Sequence, residues 1–499
     1  MAGLFDTLGT ATRGLQVVQR GLATAGHNIA NVDTPGYSRQ RSILQTGIPH
    51  ATAAGTIGSG AEQISVERII DRFVGVRLIS ETSRQSALEV ENTIYREVEN
   101  LVNEQLSGGL NGELTSFFDS LDDLASSAEP GQAVARGQLL IAGESLVDTV
   151  HRYDSQLREL QVDADRGITG LIPDVNAITA EIAELNGQIT EAEAISPAND
   201  LRDRRDQLIL ALAEKIEIVS VTDANGGLTI RIPGGLSLVD NRISNELVAV
   251  VDPANANAFD PTFSQVFYRG AGSLFDVTSS LRGGELGGLI DARDNIIAGT
   301  IRDLDAVVFT LADSFNTAHQ AGIGLVDGAP HDFFGDLSGQ ATVNDSARNF
   351  GLSADIDPGQ GGTLDNIAAG AVVASPPGGP GAAVGDTDAI EALKDLRTGR
   401  ITIYLAGDAP GAPTGTSTSV SGSLVNLVGS IGQNARSTGR ALEQQEAVLS
   451  AIKDRRDAIS GVSIDEEVAD LVQLQANFQA NARVISTISR LIQDLFDAL

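Results

Sequence analysis

The chain has 499 residues, 42% of them hydrophobic and 4% aromatic, no cysteine, and a net charge of −32. This length accommodates about two to four domains with a sizeable core, and the acidity argues against nucleic acid or an anionic membrane as partner. The lack of cysteine excludes disulfides, thiolate metal sites and thiol nucleophiles, and it suits an extracellular protein. No run reaches the roughly 18 apolar residues of a membrane span, and the N-terminus shows no basic stretch followed by an apolar one. Neither membrane insertion nor a Sec-type signal is expected.

In chain order, Leu4, Leu8, Ala11, Leu15, Val18, Leu22, Ala25 and Ile29 alternate spacings of three and four. This predicts a helix with one narrow apolar seam. Gly9, Gly14, Gly21 and Gly26 interrupt it, each costing about 1 kcal/mol relative to alanine. The helix should therefore become stable only when packed, and both ends of the chain are expected to be disordered in a free monomer. His27 to Asn31 end it. Thr34-Pro35-Gly36-Tyr37 then reads as a type II turn, with proline fixing φ and glycine supplying positive φ. Residues 45–66, rich in Gly, Ala, Ser and Thr, read as a linker with a short extended piece.

A helix is predicted over 71–104, with Leu88, Tyr95, Val98 and Val102 on one face. Another follows through Ile168, Leu171, Val175, Ile178, Ile182, Leu185 and Ile189, where Pro173 predicts a kink or a fresh start. From about 216 the period falls to two, with Leu228, Ile230 and Ile232 alternating after a turn at Asn225-Gly226-Gly227, so 216–283 reads as β-rich. Helix returns with Ile297, Ile301, Leu304, Val308, Leu311 and Phe315. Residues 326–415, with "SPPGGPGAAVGD" at 375–386, carry enough breakers to predict short strands and loops. Heptads resume from Leu424 through Ile459.

The C-terminal segment gives a second seam at Leu471, Leu474, Phe478, Asn481, Ile485, Ile488, Ile492, Leu495 and Leu499, one position of which is polar. Ser463 with Glu466 reads as a capping box at its start. Residues 1–44 carry Arg13, Arg20, Arg39 and Arg41 against Asp6 and Asp33, whereas 463–499 carry six carboxylates against Arg483 and Arg490. Opposite charge on two amphipathic ends predicts that they pair. The pattern leaves open whether a seam's partner is the same chain, another copy, or both.

Four stretches resemble one family. "HNIANVDTPGYSRQ" at 27–40 is similar to the N-terminal signature of bacterial flagellar rod, hook and hook-associated proteins. "SGVSIDEEVAD" at 460–470, followed by "LVQLQANFQANARVIST", is similar to the C-terminal signature. "NDLRDRRDQL" at 199–208 and "GELGGLIDARD" at 284–294 also resemble it, in family order. The resemblance implies an α+β multidomain fold, in which long coiled-coil-like helices from both termini form the axial part and β-rich outer domains are inserted. It divides the chain into a terminal helical assembly domain (1–44 plus 461–499), a helical core (45–215 plus 284–325 plus 416–460), a β-rich outer domain (216–283) and an irregular β-rich outer region (326–415).

It also implies a structural component of the flagellum at the junction of hook and filament, needed for filament assembly and exported by the flagellar type III route without a Sec signal. The implied partners are copies of itself, the hook protein, the next hook-associated protein and an export chaperone at the C-terminal helix. The assembly interface is expected at Leu4, Leu8, Leu15, Val18, Leu22, Ile29, Leu471, Leu474, Phe478, Ile485, Ile488, Ile492, Leu495 and Leu499. Asn28, Asn31, Pro35, Gly36 and Tyr37 form the signature turn. The alternatives are another axial protein, such as the hook protein, or an axial protein whose outer domain is an adhesin or exported enzyme. "SRQ" after "TPGY" and "DEE" after "SGVSI" tilt against the hook protein.

No constellation calls for catalysis, a cofactor or a metal. The five histidines include no i,i+4 pair of the kind a helical zinc site uses. His319 and His331 near Asp327 and Asp332 read as polar loop residues. Gly283 to Gly288 lack the Lys-Ser/Thr of a phosphate loop. Arg202, Asp203, Arg204, Arg205 and Asp206 read as i,i+3 and i,i+4 pairs on a solvated helix face.

Overall fold

Helix α1 (Ala2–Ala30) leads into an antiparallel ribbon of β1 (Gln40–Thr46) and β4 (Ala61–Arg68), with the hairpin β2 (His50–Thr52) and β3 (Gly55–Ile57) between them. The computed structural model describes residues 2–497 apart from 53–54, 103–108, 128–130, 223–226, 255–259, 261, 271, 327, 372–379 and 384. Residues 45–66 are thus largely a paired ribbon and not the expected linker. Ladder hydrogen bonds hold such a ribbon without apolar alternation, which is why the hydrophobic period gave no sign of it.

Helices α2 (Arg72–Val102), α3 (Leu110–Ser126), α4 (Gly131–Glu193) and α5 (Asn199–Lys215) follow. α4 has 63 residues and continues through Pro173, so the fresh start does not occur. Leu171, Ile172 and Val175 around the proline are buried, and this packing offsets the roughly 3 kcal/mol that proline costs inside a helix.

Strands β5 (Val219–Thr222), β6 (Leu228–Arg231), β7 (Ser237–Asp240) and β8 (Ile243–Ser244) make one antiparallel sheet. β9 (Glu246–Val250), β10 (Gln265–Gly270) and β11 (Ser273–Asp276) make a second, with β10 central. Leu228, Ile230 and Ile232 alternate as expected and are buried in one core with Val175 and Ile182 of α4 and Leu212 of α5. Asn225 and Gly226 of the expected turn lie outside the described residues.

α6 (Gly284–Asp291) runs through a π-helical turn (Ala292–Ile297) into α7 (Ala298–Gln320). After it come β12 (Gly322–Ile323), α8 (Ser346–Asn349), β13 (Gly370–Ala371), α9 (Asp388–Asp395), β14 (Ile401–Thr402) and β15 (Ser417–Thr418). These strands are only two residues long, so β structure in 326–415 is slight among the described residues. Most of "SPPGGPGAAVGD" lies outside them. The segment is anchored by aromatic packing. Phe333 and Phe334 are fully buried against Phe117 of α3 and Phe315 of α7, with ring centroids 5.1 to 5.6 Å apart.

The long α10 (Val420–Ser460) lies antiparallel on α2, with Gln445 Nε2 donating to the Glu81 carbonyl at 3.0 Å. α11 (Ile464–Asp497) returns beside α1.

Candidate functional site

The two terminal helices meet along the seams read from the sequence. Leu471, Leu474, Phe478, Asn481, Ile485 and Ile492 are half-buried and Ile488 is buried, while most other positions of α11 are exposed. Leu495 is 36% exposed, and Leu499 lies outside the described residues. On α1, Leu4, Leu8, Leu15, Leu22 and Ile29 are half-buried, and Ala11, Val18 and Ala25 are buried.

The pair is antiparallel. A Cβ placed on Gly14 would stand 2.9 Å from Asn481 Oδ1, and one on Gly21 would stand 3.1 Å from Leu474 Cδ2. Glycines that weaken α1 as an isolated helix therefore let α11 approach closely.

Beyond the seam, a polar joint ties the pair to the rest of the molecule. Tyr37 N–H donates to the Thr34 carbonyl at 3.2 Å, and Gly36 has φ +77°, which makes Thr34-Pro35-Gly36-Tyr37 the expected turn. Asn28 is buried. Its Nδ2 donates to the Gln40 carbonyl at 2.9 Å, and its Oδ1 accepts from Gln40 N–H at 3.0 Å and from the Tyr37 hydroxyl at 2.8 Å. Asn31 Nδ2 donates to the His27 carbonyl at 2.9 Å, and its Oδ1 accepts from Thr34 Oγ1 at 3.2 Å. Burial, reinforced by Asp200, Asp203 and Glu467, pushes the Tyr37 hydroxyl well above its ordinary pKa, so it stays a donor.

Helix α5 receives this turn. Asp203 accepts from Ser38 N–H at 3.1 Å and from Arg68 Nη1 at 2.6 Å, and Arg68 also reaches Asp206 at 2.9 Å. Asp200 accepts from Gln40 Nε2 at 2.9 Å, Asn199 Nδ2 donates to the Val66 carbonyl at 2.9 Å, and the Pro35 carbonyl accepts from Gln207 Nε2. Burial pushes the Asp203 carboxyl up, against the pull of Arg68. Arg205 is buried and donates to Asn186 Oδ1 at 2.9 Å, while Arg202 pairs with Glu193 and Arg204 with Glu181.

The charged run 202–206 is therefore not one solvated face with pairs of its own. Asp203 and Arg205 are buried and Arg202 is half-buried, and these desolvated charges find their partners on α4 and the ribbon, whereas Arg204 stays exposed.

The C-terminal side closes on Arg39. Its Nε donates to Glu467 Oε1 and its Nη1 to Glu466 Oε2, both at 2.6 Å, and Asp470 lies 3.7 Å from Nη2. Arg39 N–H donates to the Ser460 carbonyl at 2.8 Å. Ser463 Oγ accepts from Glu466 N–H at 3.5 Å, but the Glu466 carboxylate turns to Arg39. Only half of the expected capping box forms. Periodicity missed Ser38, Arg39, Gln40, Arg68, Asp200, Asp203 and Glu467, although six of them lie inside the motifs at 27–40, 199–208 and 460–470, which converge at this joint.

Elsewhere, His319 is buried. Its Nδ1 lies 2.6 Å from the His331 carbonyl and its Nε2 accepts from Ala368 N–H at 2.9 Å. Burial lowers its pKa to about 4, so the ring is neutral and both nitrogens are engaged. Asp327 lies outside the described residues, and no metal-binding cluster occurs among the described ones. The run from Gly283 to Gly288 serves helix packing, since a Cβ on Gly288 would stand 2.8 Å from the Ala87 carbonyl oxygen. No described helix is long and apolar enough to cross a membrane.

Family models match three parts of the chain: "Flagella basal body rod protein" at residues 8–37, "Flagellar hook-associated protein FlgK helical domain" at 95–334 and "Flagellar basal body rod FlgEFG protein C-terminal" at 440–497. The chain is 27% identical to flagellar hook-associated protein 1 of Escherichia coli strain K12 over 99% of its length and 98% of that protein's. It is 26% identical to the protein of the same name from Bacillus subtilis, over 100% and 99%, and 28% identical to that of Salmonella typhimurium, over 98% of each. The fold is like that of the flagellar hook junction protein FlgK from Burkholderia pseudomallei, with a TM-score of 0.59 and 16% identity over 77% of this chain and all of that one. Terminal seams, a converging motif joint, ordered family matches and full-length relatives of one name agree: the chain belongs to the flagellar hook-associated protein 1 family, the family of the hook–filament junction, and is a structural component of the bacterial flagellum.

Proposed function

We propose that this chain leaves the cell by the flagellar type III route, assembles at the distal end of the hook, and forms the layer on which the filament grows. It works by assembly and not by catalysis. Its partners are further copies of itself, the hook protein below and the next hook-associated protein above, with an export chaperone holding α11 before secretion.

One observation carries this reading. α1 covers the seam but leaves apolar side chains of α11 exposed to either side of it. Val468 and Val472 flank the seam on one side and Val484 and Leu491 on the other, and they are 47%, 62%, 41% and 49% exposed. A helix with apolar flanks on both sides of its seam needs neighbours besides α1. Neighbouring terminal helices would bury these flanks. The assembly interface is accordingly the set Leu4, Leu8, Leu15, Val18, Leu22, Ile29, Leu471, Leu474, Phe478, Ile485, Ile488, Ile492 and Leu495, with the turn from Asn28 to Tyr37 fixing the angle of α1.

The test is Ile485→Asp in cells lacking the wild-type chain. A carboxylate in the middle of the seam must be desolvated or protonated, at a cost of several kcal/mol repeated in each copy. The expected result is variant protein in the medium, hooks without filaments and flagellin lost to the medium. Asn481→Asp, where the seam is already polar, should be milder. Normal filaments with Ile485→Asp would remove the seam from the assembly.

A further inference from the structure

Charge is unevenly spread across the layer in which α10 packs on α2, α2 on α5, and α5 on α4. At one rim of this acidic protein stands a basic and apolar patch. Phe73 is 90% exposed, and the exposed Arg77 and Arg84 share its face of α2 at spacings of four and seven. Level with them on α10, where Leu449 and Ile452 pack with Leu78 and Val74, are Val448, 38% exposed, and the exposed Arg455. Two turns apart, these two share a face. Lys453 lines the groove on the other side of α10 with Gln85 and Glu214. Arg455, two residues on, lies about 200° round the helix from it, on the Phe73 side. Arg84 and Arg455 have no ion-pair partner among the described residues, and Arg77 reaches only Glu81, at 3.9 Å.

The other rim is acidic. Asp174, Ala177, Glu181, Glu184 and Glu191 fall at helical spacing on one accessible face of α4. This stretch is held at the level of α5 by Arg204 on Glu181 at 2.7 Å, and Leu210 of α5 reaches the cluster beside Phe73. Arg204 and Arg242 offset two of the carboxylates. Asp174 and Glu184 have no cationic partner among the described residues.

Copies of a chain with net charge −32 repel one another unless local contacts of opposite sign face each other. A basic rim and an acidic rim separated by α2 and α5 form a head-to-tail pair that repeats from copy to copy around a ring. We infer that the Phe73, Arg84 and Arg455 rim of one copy seats on the Asp174 and Glu184 stripe of α4 in the next copy. This lateral contact lies outside the terminal seams and rests on the reading of the chain as a self-assembling component.

The test is a charge exchange in cells lacking the wild-type chain. Arg84→Glu with Arg455→Glu, and separately Asp174→Lys with Glu184→Lys, should each leave hooks without filaments, and all four together should restore filament growth. Normal filament numbers with either pair alone would overturn the inference. Where both pairs block growth and the combination does not restore it, cysteines decide, because the natural chain has none. Coexpressed Phe73→Cys and Ala177→Cys chains, with Val448→Cys replacing the first should it not assemble, should give a mixed disulfide dimer in isolated hook–filament structures. Absence of that dimer overturns the contact. Ile485→Asp reports on the terminal seam alone, so failure of the assembly reading is distinguishable from failure of this one.

Discussion

Arg39 Nε donates to Glu467 Oε1 at 2.6 Å across a sequence separation of 428 residues, and the Glu467 side chain is only 3% exposed. Removing the guanidinium strands a buried carboxylate. Arg39→Ala should therefore cost the joint about 3 kcal/mol, and Arg39→Lys, which cannot fork to two carboxylates, should recover only part of it. Hydrogen exchange is the readout: amides of 38–41 and 464–470 should lose protection while those of 168–189 keep theirs.

Asn28→Asp is expected to be as harmful as Asn28→Ala. The amide both donates to and accepts from the Gln40 backbone, whereas a carboxylate can only accept, which sets it against the Gln40 carbonyl. An unsatisfied buried group costs about 1–3 kcal/mol. Thermal unfolding of the full chain, with exchange at the Gln40 amide, measures it.

Two glycine-to-alanine changes should have opposite signs. Gly36 has φ +77°, and a Cβ there would collide with the Gln207 side chain, so Gly36→Ala should destabilise by at least about 1 kcal/mol. Gly26 is helical, and a Cβ there would meet nothing within 4 Å, so Gly26→Ala should stabilise by about 1 kcal/mol. Hydrogen exchange of the amides of 20–40 in the full-length variants would show both shifts, faster for Gly36→Ala and slower for Gly26→Ala.

Acidity acts through Glu91, whose pKa is raised to about 7 by burial and by Asp291. The folded chain then binds more protons than the unfolded one between about pH 4.5 and 7, so this contribution is fully present below that window and is lost as pH rises through it. His319, lowered to about 4 by burial, works the other way and costs stability as pH falls from about 6.5 towards 4. Glu91→Gln should raise the urea midpoint at pH 7.5 and leave it nearly unchanged at pH 4.5.

In a dilute monomer, amides of 4–29 and 471–497 should exchange far faster than those of 168–189, because α11 is covered on one side only. Comparable protection would mean that the single pair suffices.

The long-range geometry was legible wherever it followed a helical period. The seams at Leu15, Val18, Leu474 and Ile488 needed only spacing, since one buried face is all that spacing encodes. The joint did not show in that way, because Ser38 with Asp203 and Arg68 with Asp206 are partners 165 and 138 residues apart, and no local pattern links them. The motifs marked the residues without saying that they touch. Phe333 and Phe334 lie in a stretch of breakers, where nothing periodic announces that the pair is driven into the core beside Phe117.

The antiparallel pairing of α1 with α11 makes the chain a test of its own completeness. A product cut short before residue 464 keeps an N-terminal seam weakened by four glycines, with no helix to cover it and no Glu467 to hold Arg39. It would carry an intact helical core and still lack half of the proposed assembly surface. Under that proposal α11 certifies α1, and copies without it would be rejected by the same contacts that hold whole ones in place.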